Sequence, residues 1–147
     1  MSNQPNERPL PQTVDSPKGP FGPGNTPYDA IGGERRVRAL VDAFYEKMDT
    51  DDRYAAARAV YPDDLAGPRE RLYEFLCGWL GGPQLYVQKY GHPRLRLRHA
   101  GFSIGERERN HWIACMAAAM DQLGVRGDLR EFLDERFAHV ADFMRNS

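Results

Sequence analysis

The first regular pattern in the chain is a helical one. Val37, Leu40, Val41, Phe44, Tyr45 and Met48 recur at i, i+3, i+4, i+7, i+8 and i+11, a continuous apolar stripe on one helix face. Gly32-Gly33 breaks the chain just before it and sets off a short first turn over residues 28–31. A second stripe, Leu72, Phe75, Leu76, Trp79 and Leu80, runs into Gly81-Gly82-Pro83, a strong stop. A third helix is predicted from Ser103, where Ser103-x-x-Glu106 fits a capping box. It carries Trp112, Ile113, Met116, Ala119, Met120 and Leu123 to Gly124. A fourth runs from about Leu129 to Met144, with Phe132, Leu133, Phe137, Val140 and Ala141 inward. These elements predict an all-α fold.

One run breaks the period. Between Gly91 and Gly101, Arg94, Leu95, Arg96, Leu97 and Arg98 alternate, and His92 and His99 flank them. Alternation favours a strand, yet about seven residues are available and no partner strand exists. A lone strand would leave its backbone groups unpaired. As a short helix with Pro93 at its first position, Leu95, His99 and Phe102 share one face and Arg94 and Arg98 an adjacent edge. A histidine in an apolar stripe with arginines along the rim suits a flat, iron-bearing, carboxylated ligand. The plainer readings stay open: a satisfied core histidine, with the arginines as a solvated face. His92 and His99, two turns apart, are too distant to chelate a metal alone, and His92 reads as turn chemistry. His111 and His139 read as surface residues.

Residues 1–27 differ from the rest. They hold seven of the eleven prolines, with Gly, Asn and Ser between them, and read as a flexible N-terminal extension to a domain over 28–147. The net charge of −1 gives no field to draw nucleic acid or an anionic membrane. No run approaches the ~20 apolar residues of a membrane span, and the start lacks a leader pattern, so a cytoplasmic chain is expected. Cys77 and Cys115 have no metal-ligand spacing and read as reduced core thiols.

Six motifs occur in order: Tyr28-Asp29-Ala30-Ile31-Gly32-Gly33; Phe44-Tyr45; Tyr61-Pro62-Asp63-Asp64-Leu65; Leu80-Gly81-Gly82-Pro83; Gly91-His92-Pro93-x-Leu95-Arg96-x-Arg98-His99; and Trp112-Ile113-x-Cys115-Met116. Together they resemble the truncated haemoglobins, specifically the bacterial group II, over about four-fifths of the chain. Each motif is weak alone, but six in order with compatible spacing are strong.

The resemblance implies a two-over-two helical sandwich around haem b, with its iron held by His99 as the proximal histidine. It implies that Tyr45, Tyr61 and Trp112 donate hydrogen bonds to a distal ligand. Tyr61 stands at a corner position that is Phe in most globins. Pro68 and Leu72 match distal-helix positions facing the ligand, and Pro68, where other globins place a histidine, offers no side-chain hydrogen bond. Arg71, Arg94 and Arg98 are the implied partners of the haem propionates, Arg98 foremost because it adjoins His99. Phe44, Leu65, Phe75, Leu76, Leu95, Phe102, Ile104 and Met116 complete the implied haem contacts. The segment around residues 48–62 is about three residues longer than in shorter members, which leaves the Tyr45–Tyr61 geometry open.

The implied function is binding of dioxygen, carbon monoxide and nitric oxide, with slow oxygen release, in a monomer or homodimer. Slow release suits sensing, storage or redox chemistry better than oxygen transport. The alternative is a haem enzyme, peroxidase-like or a nitric-oxide dioxygenase. It would take peroxide or nitric oxide and need a separate reductase.

Overall fold

The computed structural model describes residues 21–22, 24–95, 99 and 101–146. Helix α1 spans Pro27–Ile31, with Thr26 Oγ1 accepting the Asp29 N–H and proline in the first turn. Gly32 then turns left-handed at φ 118° and releases the chain into α2, Glu34–Thr50. The predicted stripe is the inner face of α2: Val37, Leu40, Val41, Phe44, Tyr45 and Met48 are all buried.

A 3₁₀ turn at Asp52–Tyr54 leads into a one-turn helix, α3, at Ala55–Arg58. Neither has an apolar period long enough to read from sequence. Helix α4 covers Ala66–Trp79, α5 Leu85–Tyr90, α6 Glu106–Leu123 and α7 Gly127–Met144. Helix α2 packs on α4 and α6, α6 packs on α7, and α3 packs on α6. The Trp79 and Phe137 rings, 5.1 Å apart, join α4 to α7. The result is the expected two-over-two helical sandwich. No helix among the described residues is long and apolar enough to cross a membrane.

Gly81 and Gly82 do more than stop α4. A Cβ on Gly82 would lie 2.6 Å from the Tyr28 ring, and one on Gly81 2.8 Å from Thr26. Their bareness lets α1 seat on the end of α4, where the Tyr28 N–H donates to Leu80 O at 2.9 Å. Cys77 and Cys115 are both buried free thiols. Burial pushes the Cys115 thiol up to about 12, so it stays protonated at neutral pH.

The predicted start of the third long helix moves. Glu106 is its first residue, Gly105 the cap, and the carboxylate that closes the box is Glu108, accepting the Gly105 N–H at 2.8 Å. Ser103 lies outside because residues 102–104 are held elsewhere. The Asn146 amide accepts the Ile104 N–H and donates to Phe102 O, at 2.8 and 2.6 Å.

Candidate functional site

Between the layers lies a cavity of about 480 Å³, within the roughly 300–1,000 Å³ usual for cofactor and ligand sites. Helix α4 supplies Pro68, Arg71, Leu72, Phe75, Leu76 and Trp79 to its wall, α5 supplies Tyr86 and Tyr90, and α7 supplies Phe137, Val140 and Met144. Tyr45 of α2, Trp112 of α6 and Val60, Tyr61 and Pro62 of the intervening loop complete one side. Leu95, His99 and Phe102 also line it.

The His99 N–H donates to Leu95 O, four residues back, at 3.2 Å, the spacing of a helical turn. The predicted start is corrected. Arg94 has φ +49°, so Pro93 and Arg94 stand outside the helical turn. The Arg94 N–H donates to His92 Nδ1 at 3.0 Å, which gives His92 the turn-closing part expected of it. Arg94 therefore lies off the helix edge expected for it, and Arg98, the other residue expected there, lies outside the described residues.

His99 Nδ1 is 2.8 Å from Leu95 O. A carbonyl only accepts, so Nδ1 carries the hydrogen and the lone pair falls on Nε2, the tautomer a metal ligand needs.

The polar groups on the other named elements form a chain. Trp112 Nε1 donates to the Tyr61 hydroxyl at 3.3 Å. The Tyr45 hydroxyl donates to Pro68 O at 3.4 Å and interacts with the neighbouring Tyr61. The Tyr45 and Tyr61 rings meet edge to face, 5.6 Å apart, despite the longer intervening segment. Burial raises both hydroxyls above the usual tyrosine range, Tyr45 strongly, so both keep their protons at neutral pH. The Pro68 side chain gives no hydrogen bond, as expected, but its carbonyl faces Tyr45. Its missing N–H costs nothing in the first turn of α4, where amides have no helical partner.

Arg58, at the end of α3, holds the Tyr61 turn. Its guanidinium donates to Tyr61 O, Pro62 O and Asp63 O at 3.4, 3.0 and 3.0 Å, and to Asp49 at 2.9 Å. Sequence reading missed it, since a lone arginine in a polar loop carries no periodic signal. His111 is not the surface residue expected. Its Nδ1 accepts the Ala56 N–H at 3.1 Å and the residue is half-buried.

Eleven of the residues expected at the site meet in the cavity: Tyr45, Tyr61, Pro68, Arg71, Leu72, Phe75, Leu76, Leu95, His99, Phe102 and Trp112. Others do not reach it. Phe44 is fully buried behind the wall, its ring 5.3 Å from that of Trp112, because one residue from Tyr45 is a 100° turn of the helix. Leu65 and Met116 belong to the hydrophobic core. Ile104 lines a smaller adjoining cavity of about 60 Å³ that shares Tyr61, His99 and Trp112. Arg94 is exposed and absent from the wall. Phe137, Val140 and Met144 were legible only as an inward stripe, with nothing to say that the stripe faced a cavity.

The residues present fit a haem. The wall is mostly aromatic and aliphatic, and it holds one imidazole in the metal-ligating tautomer. Phe102 lines the cavity yet is 45% exposed, an apolar surface of the kind a flat apolar group would cover. Arg71 is the rim cation among the described lining residues.

Residues 26–146 match the family model described as bacterial-like globin. The chain is 40% identical to the group 2 truncated haemoglobin YjbI of Bacillus subtilis over 122 residues, 83% of this chain and 89% of that one. It superposes on the group II 2-on-2 haemoglobin of Agrobacterium tumefaciens with a TM-score of 0.79 and 45% identity, covering 82% and 94% of the two chains. For the truncated oxygen-avid haemoglobin of Bacillus subtilis the TM-score is 0.77 and the identity 40%, covering 83% and 100%. The family match, the identities and the shared two-over-two architecture agree: the chain belongs to the bacterial-like globins and is a group II truncated haemoglobin.

Proposed function

We propose that this chain binds haem b through His99 and holds dioxygen and other diatomic ligands, with slow release. When bound, the haem supplies an iron whose open coordination position takes such ligands. The observation that carries the reading is the Trp112–Tyr61 hydrogen bond, with Tyr45 against Tyr61, in the same cavity as His99.

His99 donates from Nδ1 to Leu95 O, which orients the ring and leaves Nε2 to the metal. The Tyr61 oxygen accepts from Trp112, and the Tyr45 proton goes to Pro68 O, so the Tyr61 proton is left to point into the cavity. A ligand that gathers negative charge would take that proton as a charge-assisted hydrogen bond, about 1.5–3 kcal/mol. At 1.4 kcal/mol per tenfold, that slows release about ten- to hundredfold. The aromatic wall of Phe75, Trp79 and Phe137 excludes water, which strengthens the bond. Arg71 is the rim cation for an acidic group on the cofactor. Neither cysteine lines the cavity, in keeping with a haem held without a thioether link. The solved relative whose name calls it oxygen-avid supports slow release.

Stopped-flow oxygen dissociation of the haem-loaded protein tests this. Tyr61→Phe should release oxygen at least about tenfold faster than wild type. Equal rates would remove the distal-donor reading, and no Soret band after reconstitution would remove haem binding altogether.

A further inference from the structure

The turn that carries Tyr61 is tied to α6 at two adjacent residues. One tie is the Trp112 N–H to the Tyr61 hydroxyl. The other is His111, whose Nδ1 accepts the Ala56 N–H at 3.1 Å. Ala56 lies in the first turn of α3, where amides have no partner within their own helix. His111 thus caps α3 from across the fold, 55 residues away in sequence. Helix α3 ends at Arg58, and the Arg58 guanidinium grips the carbonyls of Tyr61, Pro62 and Asp63. The line from His111 through Ala56, Arg58 and Tyr61 returns to Trp112, one residue from where it began.

We propose that His111 is a positioning residue for the Tyr61 hydroxyl, and only as a neutral imidazole, so that ligand release depends on pH. The proposal rests on the reading of Tyr61 as the ligand's donor. A neutral ring with its lone pair on Nδ1 accepts the Ala56 N–H. A protonated ring carries N–H at both nitrogens, so Nδ1 would face Ala56 donor to donor. The cap is then lost and α3, with the Arg58 grip, is free to shift away from Trp112.

On α6 the charged group that interacts with His111 is Glu108, which also feels Arg107. The Glu108 carboxyl is held below its usual range first by the Gly105 N–H, with His111 adding to the effect. The 3₁₀ turn and α3, which pack on α6, carry Asp52, Arg53 and Arg58, with Asp51 as the cap. Arg53 pairs with Asp51 at 2.6 Å and Arg58 with Asp49 at 2.9 Å. Glu108, already bonded to Gly105, is the carboxylate positioned to feel a charge on His111.

The test follows oxygen dissociation from the haem-loaded full chain between about pH 5.5 and about pH 8.5. Wild type should release oxygen roughly three- to tenfold faster at the acid end, the loss of about one hydrogen bond. His111→Asn keeps an acceptor in place of Nδ1 and does not titrate, so its rate should stay slow and flat. His111→Phe, without an acceptor, should be fast at every pH. A flat wild-type profile, or an Asn variant that keeps the wild-type profile, overturns the proposal.

Tyr61→Phe separates the two readings. If it matches wild type throughout, the donor reading has failed. If it is faster while the His111 variants behave as wild type, only the positioning has failed. The C–O stretching band of carbon-monoxide-loaded wild type gives a readout without any variant. It should titrate together with the Ala56 amide resonance, and an Ala56 amide blind to pH would also overturn the proposal.

Discussion

Around His99 the cavity is organised by bonds between residues one helical turn apart. Both the His99 amide and its Nδ1 go to Leu95 O, at 3.2 and 2.8 Å. Around Tyr61 it is organised by residues from three separate elements: Tyr45 on α2, Trp112 on α6, and Arg58 at the end of α3. A local bond of the first kind survives small shifts in packing, because both partners move together. A network of the second kind depends on where whole helices come to rest. The proposed iron-binding imidazole is thus the robust half of the site, and the proposed distal hydroxyl is the half that mutation and pH can tune.

The largest effect should come from breaking the first half. His99→Ala removes the only cavity-lining imidazole among the described residues, and native iron ligation should be lost. The Soret spectrum and the rate of haem transfer to an acceptor protein measure it; unchanged ligation would overturn the assignment.

Next come Tyr61→Phe and Trp112→Phe, with the double variant. Each single change should speed oxygen release about tenfold or more. Since both act through one hydroxyl, the double variant should fall well short of the sum. Full additivity in stopped-flow rates would mean the two groups act separately.

Arg58→Ala should have a smaller, indirect effect, a few-fold faster release with an unchanged Soret band. It removes the three carbonyl contacts that hold the Tyr61 turn. An unchanged rate would leave Trp112 as the sole anchor.

The smallest concerns acid stability. Asp51 is lowered to about 2 by the Arg53 side chain, with the Arg53 backbone N–H adding to it. A depressed carboxyl stabilises the fold above its unfolded value, near pH 3.9, and loses that contribution as pH falls toward 2. The pair is exposed, so Asp51→Asn should shift acid unfolding only slightly, by circular dichroism, and leave the ligand kinetics untouched.

The long helices were legible because their apolar stripes are long: Val37 to Met48 on α2 and Leu72 to Leu80 through α4 both appear where the period puts them. The start of α6 was misread because Ser103 has the right chemistry for a cap, yet Asn146 holds the neighbouring Phe102 and Ile104 backbone. Helix α3 was invisible, since one turn of AAAR has no period to detect. The eleven site residues that do meet came from motif order. Phe44, Leu65 and Met116 came with them because motif order does not say which face of a helix a residue occupies. His111 was misassigned because its partner is a backbone amide, which leaves no mark on the pattern of side chains.

The sequence by itself determined the helical class and the glycine stops, which rest on spacing within a few turns, and its motif order carried the resemblance that implies His99 as the iron ligand. Only the tertiary structure decided that Trp112 bonds to Tyr61, that the Tyr61 ring meets that of Tyr45, and that His111 caps α3. Those contacts join residues 16 to 55 positions apart, and such pairs meet only where the packing of α2, α3 and α6 brings them within reach.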